Sequence, residues 1–515
     1  MFPGVFAART PDKPAVLRPA TGEQLTYRQL DENSTRLADH LHSLGLRPGH
    51  CIAVVSENDL RIFEAYWAAL RSGMYITVIN HHLTAEETDY ILADSDAQVV
   101  LAGASVAHAL AHAASLPALA APGRRIAWGG DIPGFDAYEK VLAQASARPR
   151  TDQPRGTDML YSSGTTGRPK GIRTPLPQGQ VDAIPDAYTA VFGPMYGFDE
   201  NSVYLSPAPL YHAAPLRYCG TTHSVGGTVV MMDHFEPEEA LRLIETYHVT
   251  HSQWVPTMFI RMLKLPDAVR ARYDVSSMKV AIHAAAPCPV DVKRAMIEWW
   301  GPVIHEYYAS TEAAGATFIG PQEALAHPGS VGRPLLGIVH ICDEDGVESP
   351  TGDVGSVYFE RDGAAFEYHN DPAKTAAARH PGHDNWSTTG DVGYVDDDGY
   401  LYLTDRKAFM IISGGVNIYP QEAENVLVTH PAVFDVGVIG VPDPDLGEVA
   451  KACVQLAPGH TPSAELAAEL LDSARSKIAA YKVPRSVDFV DDLPRTPTGK
   501  LVKGVLRKAY WPSPV

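Results

Sequence analysis

Short apolar runs alternate with amphipathic segments over the first hundred residues, and this alternation constrains the fold more than any other feature of the chain. Cys51–Val55 and Tyr75–Ile79 are typical of buried strands, whereas residues 63–70 have helical spacing. Thr26 and Gln29 are placed as a capping box at the start of an earlier helix. Strands that alternate with helices predict an α/β fold with a largely parallel sheet.

The rest of the chain predicts further layers and a second domain. Residues 103–154 are rich in Ala and Pro, which we interpret as a variable surface region. Recurring Gly/Asp turns over residues 329–402 are typical of short antiparallel strands. The last hundred residues predict an α+β unit with strands at 433–441, 450–456 and 487–490 and a helix at 464–480. We therefore expect a large multi-layer N-terminal domain with mixed sheets, residues 1–405, and a small mobile α+β domain, residues 406–515.

The charge balance and the cysteine content of the chain limit its binding partners and its cellular location. The 515 residues carry 42 Lys+Arg against 61 Asp+Glu, a formal net charge of −19. An acidic surface disfavours nucleic-acid polymers and anionic lipid. Five scattered cysteines without a C-x-x-C pair indicate reduced thiols, and neither a signal peptide nor a membrane-length apolar run is visible, so we expect a cytoplasmic protein without membrane insertion.

The segment YSSGTTGRPKG, residues 161–171, is the most informative stretch of the sequence. Glycines allow the backbone N–H groups to approach phosphates, and hydroxyls and a lysine add donors and positive charge. The spacing does not fit G-x-x-x-x-G-K-[ST], which excludes a Walker loop.

This segment resembles the phosphate loop of the adenylate-forming superfamily, which includes acyl-CoA synthetases, luciferases and nonribosomal adenylation domains. Three further motifs follow in the order expected for the acyl-CoA synthetase branch and span most of the chain. The resemblance implies that ATP is bound by Ser162, Ser163, Gly164, Thr165, Thr166, Gly167 and Lys170.

The second motif is YYASTEAAG, residues 307–315. By resemblance, Tyr308 stacks on adenine, Thr311 contacts the α-phosphate and Glu312 binds Mg²⁺, which prefers carboxylate oxygens. The upstream segment Ala284, Ala285 and Ala286 resembles the small-residue stretch along the adenine edge.

The third motif covers residues 387–424. The resemblance implies that Asp391 holds the ribose hydroxyls and that Arg406 is a second nucleotide contact. Gly414 and Gly415 match the segment that approaches the pantetheine tunnel. Many relatives have Asp or Lys at the interdomain hinge two residues after Arg406, whereas this chain has Ala408.

The fourth motif, PRTPTGK, resembles the element with the catalytic lysine, here Lys500. PLYHAAP resembles the segment beside the acyl pocket, with His212 as the gate. We expect Lys500, Thr166, Glu312 and His212 to take part in catalysis. The expected acyl-pocket residues are His212, Trp254, Val255, Ala284, Tyr307 and Ala309.

The implied reaction uses ATP and Mg²⁺ to convert a small carboxylic acid to an acyl-adenylate, followed by transfer of the acyl group to coenzyme A. Acceptors left open are a carrier-protein thiol, O₂, or nitrite in the diazotisation of an aromatic amine during natural-product biosynthesis. A non-catalytic nucleotide-binding protein is disfavoured by the presence of Lys500 and Glu312. A homodimer is compatible with the sequence, whereas neither a zinc motif nor a G-x-S-x-G elbow is present.

Overall fold

A computed structural model describes residues 2–162, 169–363, 366–495 and 501–511. The side chains of residues 162, 406 and 407 lie outside the description. The predicted site residues outside it are Ser163, Gly164, Thr165, Thr166, Gly167 and Lys500.

Strands are the most numerous elements of the described chain. They are β1 (Pro14–Arg18), β2 (Glu23–Thr26), β3 (Cys51–Val55), β4 (Tyr75–Ile79), β5 (Ala97–Gly103), β6 (Arg125–Trp128), β7 (Asp136–Ala137), β8 (Thr157–Asp158), β9 (Leu160–Ser162), β10 (Lys170–Arg173), β11 (Val203–Ser206), β12 (Thr228–Met231), β13 (His251–Trp254), β14 (Val280–His283), β15 (Ile304–Ala309), β16 (Ala316–Ile319), β17 (Arg333–Leu336), β18 (Ile338–Cys342), β19 (Gly355–Glu360), β20 (Glu367–Tyr368), β21 (Arg379–His380), β22 (His383–Ser387), β23 (Asp391–Val395), β24 (Leu401–Arg406), β25 (Ile411–Ser413), β26 (Val416–Ile418), β27 (Val433–Asp443), β28 (Gly447–Leu456) and β29 (Ser486–Phe489).

Helices connect the strands and cover the sheets. They are α1 (Pro3–Arg9), α2 (Tyr27–Ser43), α3 (Leu60–Leu70), α4 (Ala85–Asp94), α5 (Tyr138–Gln144), α6 (Ala187–Met195), α7 (Ala213–Val225), α8 (Pro237–Tyr247), α9 (Pro256–Leu263), α10 (Asp267–Arg270), α11 (Val290–Trp300), α12 (Pro321–Ala326), α13 (Pro372–Ala377), α14 (Pro420–Leu427), α15 (Ala464–Arg475) and α16 (Lys503–Lys508). Short 3₁₀ helices span Ala104–Leu110, Ala113–Ser115, Pro117–Leu119, Lys407–Phe409 and Ala480–Lys482.

Two large sheets form the body. The first has nine strands in the order β17-β16-β15-β14-β13-β11-β12-β1-β2, and its segment from β15 to β1 is parallel. The second has six parallel strands in the order β7-β6-β5-β3-β4-β8. Helices α2, α3, α6 and α7 contribute to the largest apolar cluster together with residues of both sheets.

Three smaller sheets complete the described structure. Strands β18, β19 and β21 to β24 form an antiparallel sheet, and β20, β10 and β9 form another. A five-stranded sheet contains β26, β25, β28, β27 and β29, all after residue 410, and has its own apolar clusters. These sheets agree with the predicted antiparallel stretch and the predicted α+β unit.

Most predicted elements occur where the pattern placed them, and the Thr26–Gln29 capping box is formed. Residues 103–154 differ from the prediction of a variable surface region, because β6 is a mostly buried strand of the parallel sheet. The helix predicted at 464–480 ends at Arg475, where Lys477 and Ile478 both donate to the carbonyl of Ala474 in a closing turn. Among the described helices, none combines the length and apolarity needed to cross a bilayer.

Burial predicts a large difference between two leucines in helices. Leu243 in α8 is 1% exposed, whereas Leu325 in α12 is 48% exposed. Leu243→Ala should lower the free energy of unfolding by about 2–5 kcal/mol, because the side chain leaves a cavity. Leu325→Ala should change it by less than about 0.5 kcal/mol. Urea unfolding of both variants measures the difference, and equal losses would contradict the assigned packing.

Candidate active site

A cavity of about 210 Å³ lies at the carboxyl ends of β13, β14 and β15. These neighbouring parallel strands end at the same edge of the sheet, which is where open α/β sheets place ligands. The opposite wall comes from α14, the start of β27 and the segment around α16. The cavity is therefore enclosed by both the body and the C-terminal sheet unit.

The segment after β14 forms one side of the cavity through the predicted residues Ala284, Ala285 and Ala286. Ala285 has φ +76°, in the left-handed region that residues with a β-carbon rarely adopt. Backbone in this region is retained where the surrounding structure requires it, often at functional sites. Small side chains here leave the cavity open next to the backbone.

Strand β15 and the turn after it form a second side. Tyr307, Tyr308 and Ala309 all line the cavity, as predicted from the sequence. The Tyr308 hydroxyl donates to Oδ2 of Asp391 at 2.7 Å, and Thr389 Oγ1 donates to the same oxygen at 2.8 Å. Asp391 is 7% exposed and lines the cavity, so the predicted adenine-stacking and ribose-binding side chains are brought into direct contact.

Tyr307 closes the cavity towards the body. Its ring lies 5.2 Å from that of Phe192, and its hydroxyl is 3.1 Å from the hydroxyl of Tyr188, which donates to it. Both partners belong to α6. The Tyr307 ring therefore lies between the cavity and the aromatic side chains of α6. Val255 contributes a further apolar wall.

Charged side chains of the C-terminal unit, which the sequence prediction missed, also line the cavity. Lys503 forms an ion pair with Glu424 at 2.9 Å, and its ammonium lies 5.3 Å from the Phe409 ring. Arg495 forms an ion pair with Asp435. The proximity of Lys503 to the PRTPTGK motif was the only signal in the sequence.

A second missed feature is a buried charged cluster behind the alanine segment. Lys293 of α11 forms an ion pair with Glu306 of β15, and Nε2 of His283 lies 3.8 Å from the same carboxylate. Burial raises the pKa of Glu306, and Lys293 opposes that rise. Glu306 lines the cavity, so its ion pair with Lys293 connects α11 to the cavity wall.

Lys170 and Glu312 lie close together on either side of Tyr368, and Glu312 belongs to the turn that follows the carboxyl end of β15. The Tyr368 hydroxyl donates to Oε1 of Glu312 at 2.9 Å, and the Lys170 ammonium lies 5.6 Å from the centroid of the same tyrosine ring. Tyr368 thus contacts both predicted phosphate-binding residues, Lys170 through its ring and Glu312 through its hydroxyl. Thr311 precedes Glu312 in the turn that follows β15.

Besides Lys170, Thr311 and Glu312, the predicted residues Trp254, His212, Gly414 and Gly415 do not line the cavity. Trp254 is fully buried and its Nε1 donates to Ser252. Gly414 and Gly415 form the tight turn between β25 and β26, with φ of +57° and +82°. His212 precedes α7, with its ring 4.5 Å from that of Tyr211. The proposed pocket roles of Trp254 and His212 stay predictions.

His212 has a buried Nε2 atom without a hydrogen-bond partner among the described residues. Burial lowers the pKa of His212 to about 3. The imidazole is therefore neutral in the folded protein at neutral pH, and it can act there through shape or a hydrogen bond without carrying charge.

The lowered pKa predicts a pH dependence of stability. The unfolded chain binds a proton at His212 near pH 6.5 whereas the folded chain does not, so stability falls as the pH drops from about 6.5 towards 3. His212→Gln should remove up to about 1.4 kcal/mol per pH unit of this loss. Urea unfolding at pH 7 and pH 5 measures it, with the exposed His460→Gln as a control. An unchanged pH dependence in His212→Gln would contradict the assigned burial.

Comparisons with known proteins agree with this geometry. Residues 5–369 match the family described as "AMP-binding enzyme", and residues 422–500 match "AMP-binding enzyme C-terminal domain". A "Feruloyl-CoA synthase" from Amycolatopsis sp is 35% identical over 95% of this chain and 94% of its own length. "Long-chain-fatty-acid–CoA ligase FadD13" from Mycobacterium tuberculosis is 32% identical over 98% of this chain and 97% of its own.

A solved structure points the same way. o-Succinylbenzoate CoA synthetase from Bacillus subtilis, in complex with its acyl-adenylate intermediate, superposes with a TM-score of 0.79 at 25% identity, covering 98% of this chain and 97% of that one. The predicted fold class, superfamily and enzyme class are therefore confirmed. The chain belongs to the AMP-binding enzyme family, in its acid–CoA ligase branch.

Proposed function

We propose that the chain joins a carboxylic acid to coenzyme A in two half-reactions. In the first, a carboxylate oxygen attacks the α-phosphorus of ATP, the bond to pyrophosphate breaks, and an acyl-adenylate forms. In the second, the thiol of coenzyme A attacks the acyl carbon, AMP leaves, and the thiol proton passes to solvent. Activation as a mixed anhydride gives the carboxylate a good leaving group.

The contact of Tyr308 with Asp391 beside Ala284 to Ala286 is the observation that carries this proposal. A ring, a carboxylate and a small-residue edge at one cavity suit the base, the ribose hydroxyls and the close approach of a nucleoside. Catalysis of such a transfer is mainly positioning and charge stabilisation. The described residues supply the positioning through hydrogen bonds that are already formed.

The residues around Glu312 fit a magnesium ion. Mg²⁺ is commonly held by one or two carboxylates together with substrate phosphates and water, and Glu312 is a carboxylate oriented by Tyr368. Among the described residues no group of three or more His, Cys, Asp or Glu side chains is placed to hold a metal ion. When bound, Mg²⁺ supplies positive charge against the phosphates.

The remaining roles are proposed for this chain's own residues. Lys500 and Thr166 would donate hydrogen bonds to the phosphate oxygens and Thr311 to the α-phosphate, and Arg406 would contact the nucleotide. We place the domain boundary between residues 405 and 406, with Ala408 at the hinge. Rotation of the C-terminal unit would withdraw Lys500 and bring Gly414 and Gly415 towards the thiol. The two glycines form the tight turn between β25 and β26.

Tyr307 and Val255 line the cavity. Their side chains offer apolar walls that suit an aromatic or medium-sized acid. We propose a cytoplasmic enzyme, supported by five free cysteines, and a role in natural-product biosynthesis is compatible with such an acid. A homodimer stays a prediction.

A product assay tests the function. Purified protein with MgATP, a panel of aryl and aliphatic acids and coenzyme A should release AMP and pyrophosphate and form an acyl-CoA identified by mass spectrometry. Parallel reactions contain a carrier protein or nitrite with an aromatic amine in place of coenzyme A. Consumption of nitrite without use of coenzyme A would contradict the proposal.

Lys500→Ala should separate the half-reactions. Loss of the ammonium should reduce carboxylate-dependent ATP–pyrophosphate exchange by orders of magnitude, because its charge acts on the phosphates. Thioester formation from a supplied acyl-adenylate should be largely retained. Exposed Lys508→Ala is the control. Wild-type exchange in Lys500→Ala would contradict the assignment.

Asp391→Asn tests the nucleoside site. Asparagine keeps an acceptor for Tyr308 but removes the charge offered to the ribose hydroxyls, so the KM for ATP should rise by about tenfold or more. The exposed Asp397→Asn in the neighbouring turn serves as a control. Steady-state kinetics measure the change, and an unaltered KM for ATP would contradict the ribose role.

A further inference from the structure

Two lysines face one another next to Glu312. Lys170 begins β10, which pairs with β20, and Lys374 lies on α13, which follows β20. The backbone N–H of Tyr368 donates to Thr375 Oγ1 at 2.9 Å and ties α13 to that strand. The Lys374 ammonium is within hydrogen-bonding range of the Lys170 ammonium. Regular backbone structure therefore holds the two cations together.

The pair is electrostatically unfavourable as it stands. Burial, followed by the charge of Lys374, lowers the pKa of Lys170 to about 8, and the more weakly acting Asp371 and Glu312 do not cancel this effect. Neither lysine forms a salt bridge with a carboxylate in the described part of the chain. Two facing ammonium groups are stabilised when an anion lies between them.

The position of the pair indicates which anion. Lys170 lies near the end of the predicted phosphate loop, and Tyr368 connects it to Glu312. Tyr308, which contacts Asp391 in the proposed nucleoside site, lies on β15 just before the turn that carries Glu312. A nucleotide held at the cavity would direct its terminal phosphates towards the lysines.

We propose that Lys374, together with Lys170, binds the two terminal phosphates of ATP and holds them as pyrophosphate when it departs. The proposal rests on the proposed function, because it concerns the leaving group of the first half-reaction. Lys374 acts on the departing anion only, so it should affect pyrophosphate more than the acid or coenzyme A. A single coenzyme A phosphate on the same pair is the alternative source of the same chemistry.

The test is ATP–pyrophosphate exchange in the absence of coenzyme A, with Lys374→Met, Lys374→Arg and the exposed Lys140→Met as a matched control. Lys374→Met should raise the KM for magnesium pyrophosphate by about tenfold or more, since a charge-assisted contact is lost. Lys374→Arg should recover most of it, and Lys140→Met should behave as the wild type. Thermal unfolding of each variant checks folding.

The pH profile distinguishes binding from a structural role. Removing Lys374 takes away a repulsion, so the pKa of Lys170 should rise and the alkaline loss of pyrophosphate binding should move to higher pH. If Lys374 had a purely structural role, the alkaline loss of pyrophosphate binding would stay at the same pH. Wild-type KM for pyrophosphate in Lys374→Met, or a rise confined to the KM for coenzyme A in the full reaction, would overturn the proposal.

A direct binding measurement keeps the two proposals separate. If the wild type shows no exchange with any acid, the proposed function fails, and calorimetric titration of magnesium pyrophosphate into wild type and Lys374→Met then decides the inference. Weaker binding in the variant supports it. Equal affinity overturns it.

Discussion

The hydrogen-bond ladder of three parallel strands is the constraint on which the site depends. Trp254 pairs with His283 and His283 with Glu306, so β13 and β14 end level with each other and β15 continues to Ala309 at the same edge. Parallel strands require crossover connections, and here these are helices that cover the sheet. A one-residue slip of β15 would exchange Tyr307 and Tyr308 between faces, removing both the aromatic floor and the partner of Asp391. The chemistry is thus positioned by backbone pairing before any ligand binds.

Net charge and local charge have opposite signs in this protein. The chain carries −19, yet the proposed phosphate side presents Lys170 and Lys374, and the C-terminal wall presents Lys503 and Arg495. Lys503 and Arg495 are each neutralised by a carboxylate neighbour. The lysine pair is not, among the described residues, and this imbalance suits a polyanionic substrate.

Sequence reasoning succeeded where a pattern is local. Continuous apolar runs identified β3 and β4, and contiguous motifs pointed to Asp391 and Tyr308, which line the cavity and whose roles stay predictions. It missed β6 because the Ala- and Pro-rich composition of residues 103–154 outweighed one short apolar run. It missed the Glu306–Lys293 pair because that contact exists only once α11 packs against β15. Lys374 and Lys503 were missed for the same reason, because the residues that they contact are distant in the chain. Trp254 was predicted to line the acyl pocket but is fully buried, since a position at a strand end does not decide which way the side chain points.

A wall shared by two units of the chain has a consequence for timing. Lys264, just after α9, donates to the carbonyl oxygens of Val428 and Val433, so the body grips the C-terminal unit at the point where it closes the cavity. A reactive anhydride formed inside would be shielded from hydrolysis only while that grip holds. The strength of the Lys264 hydrogen bonds would then set how often the acyl-adenylate is lost to hydrolysis.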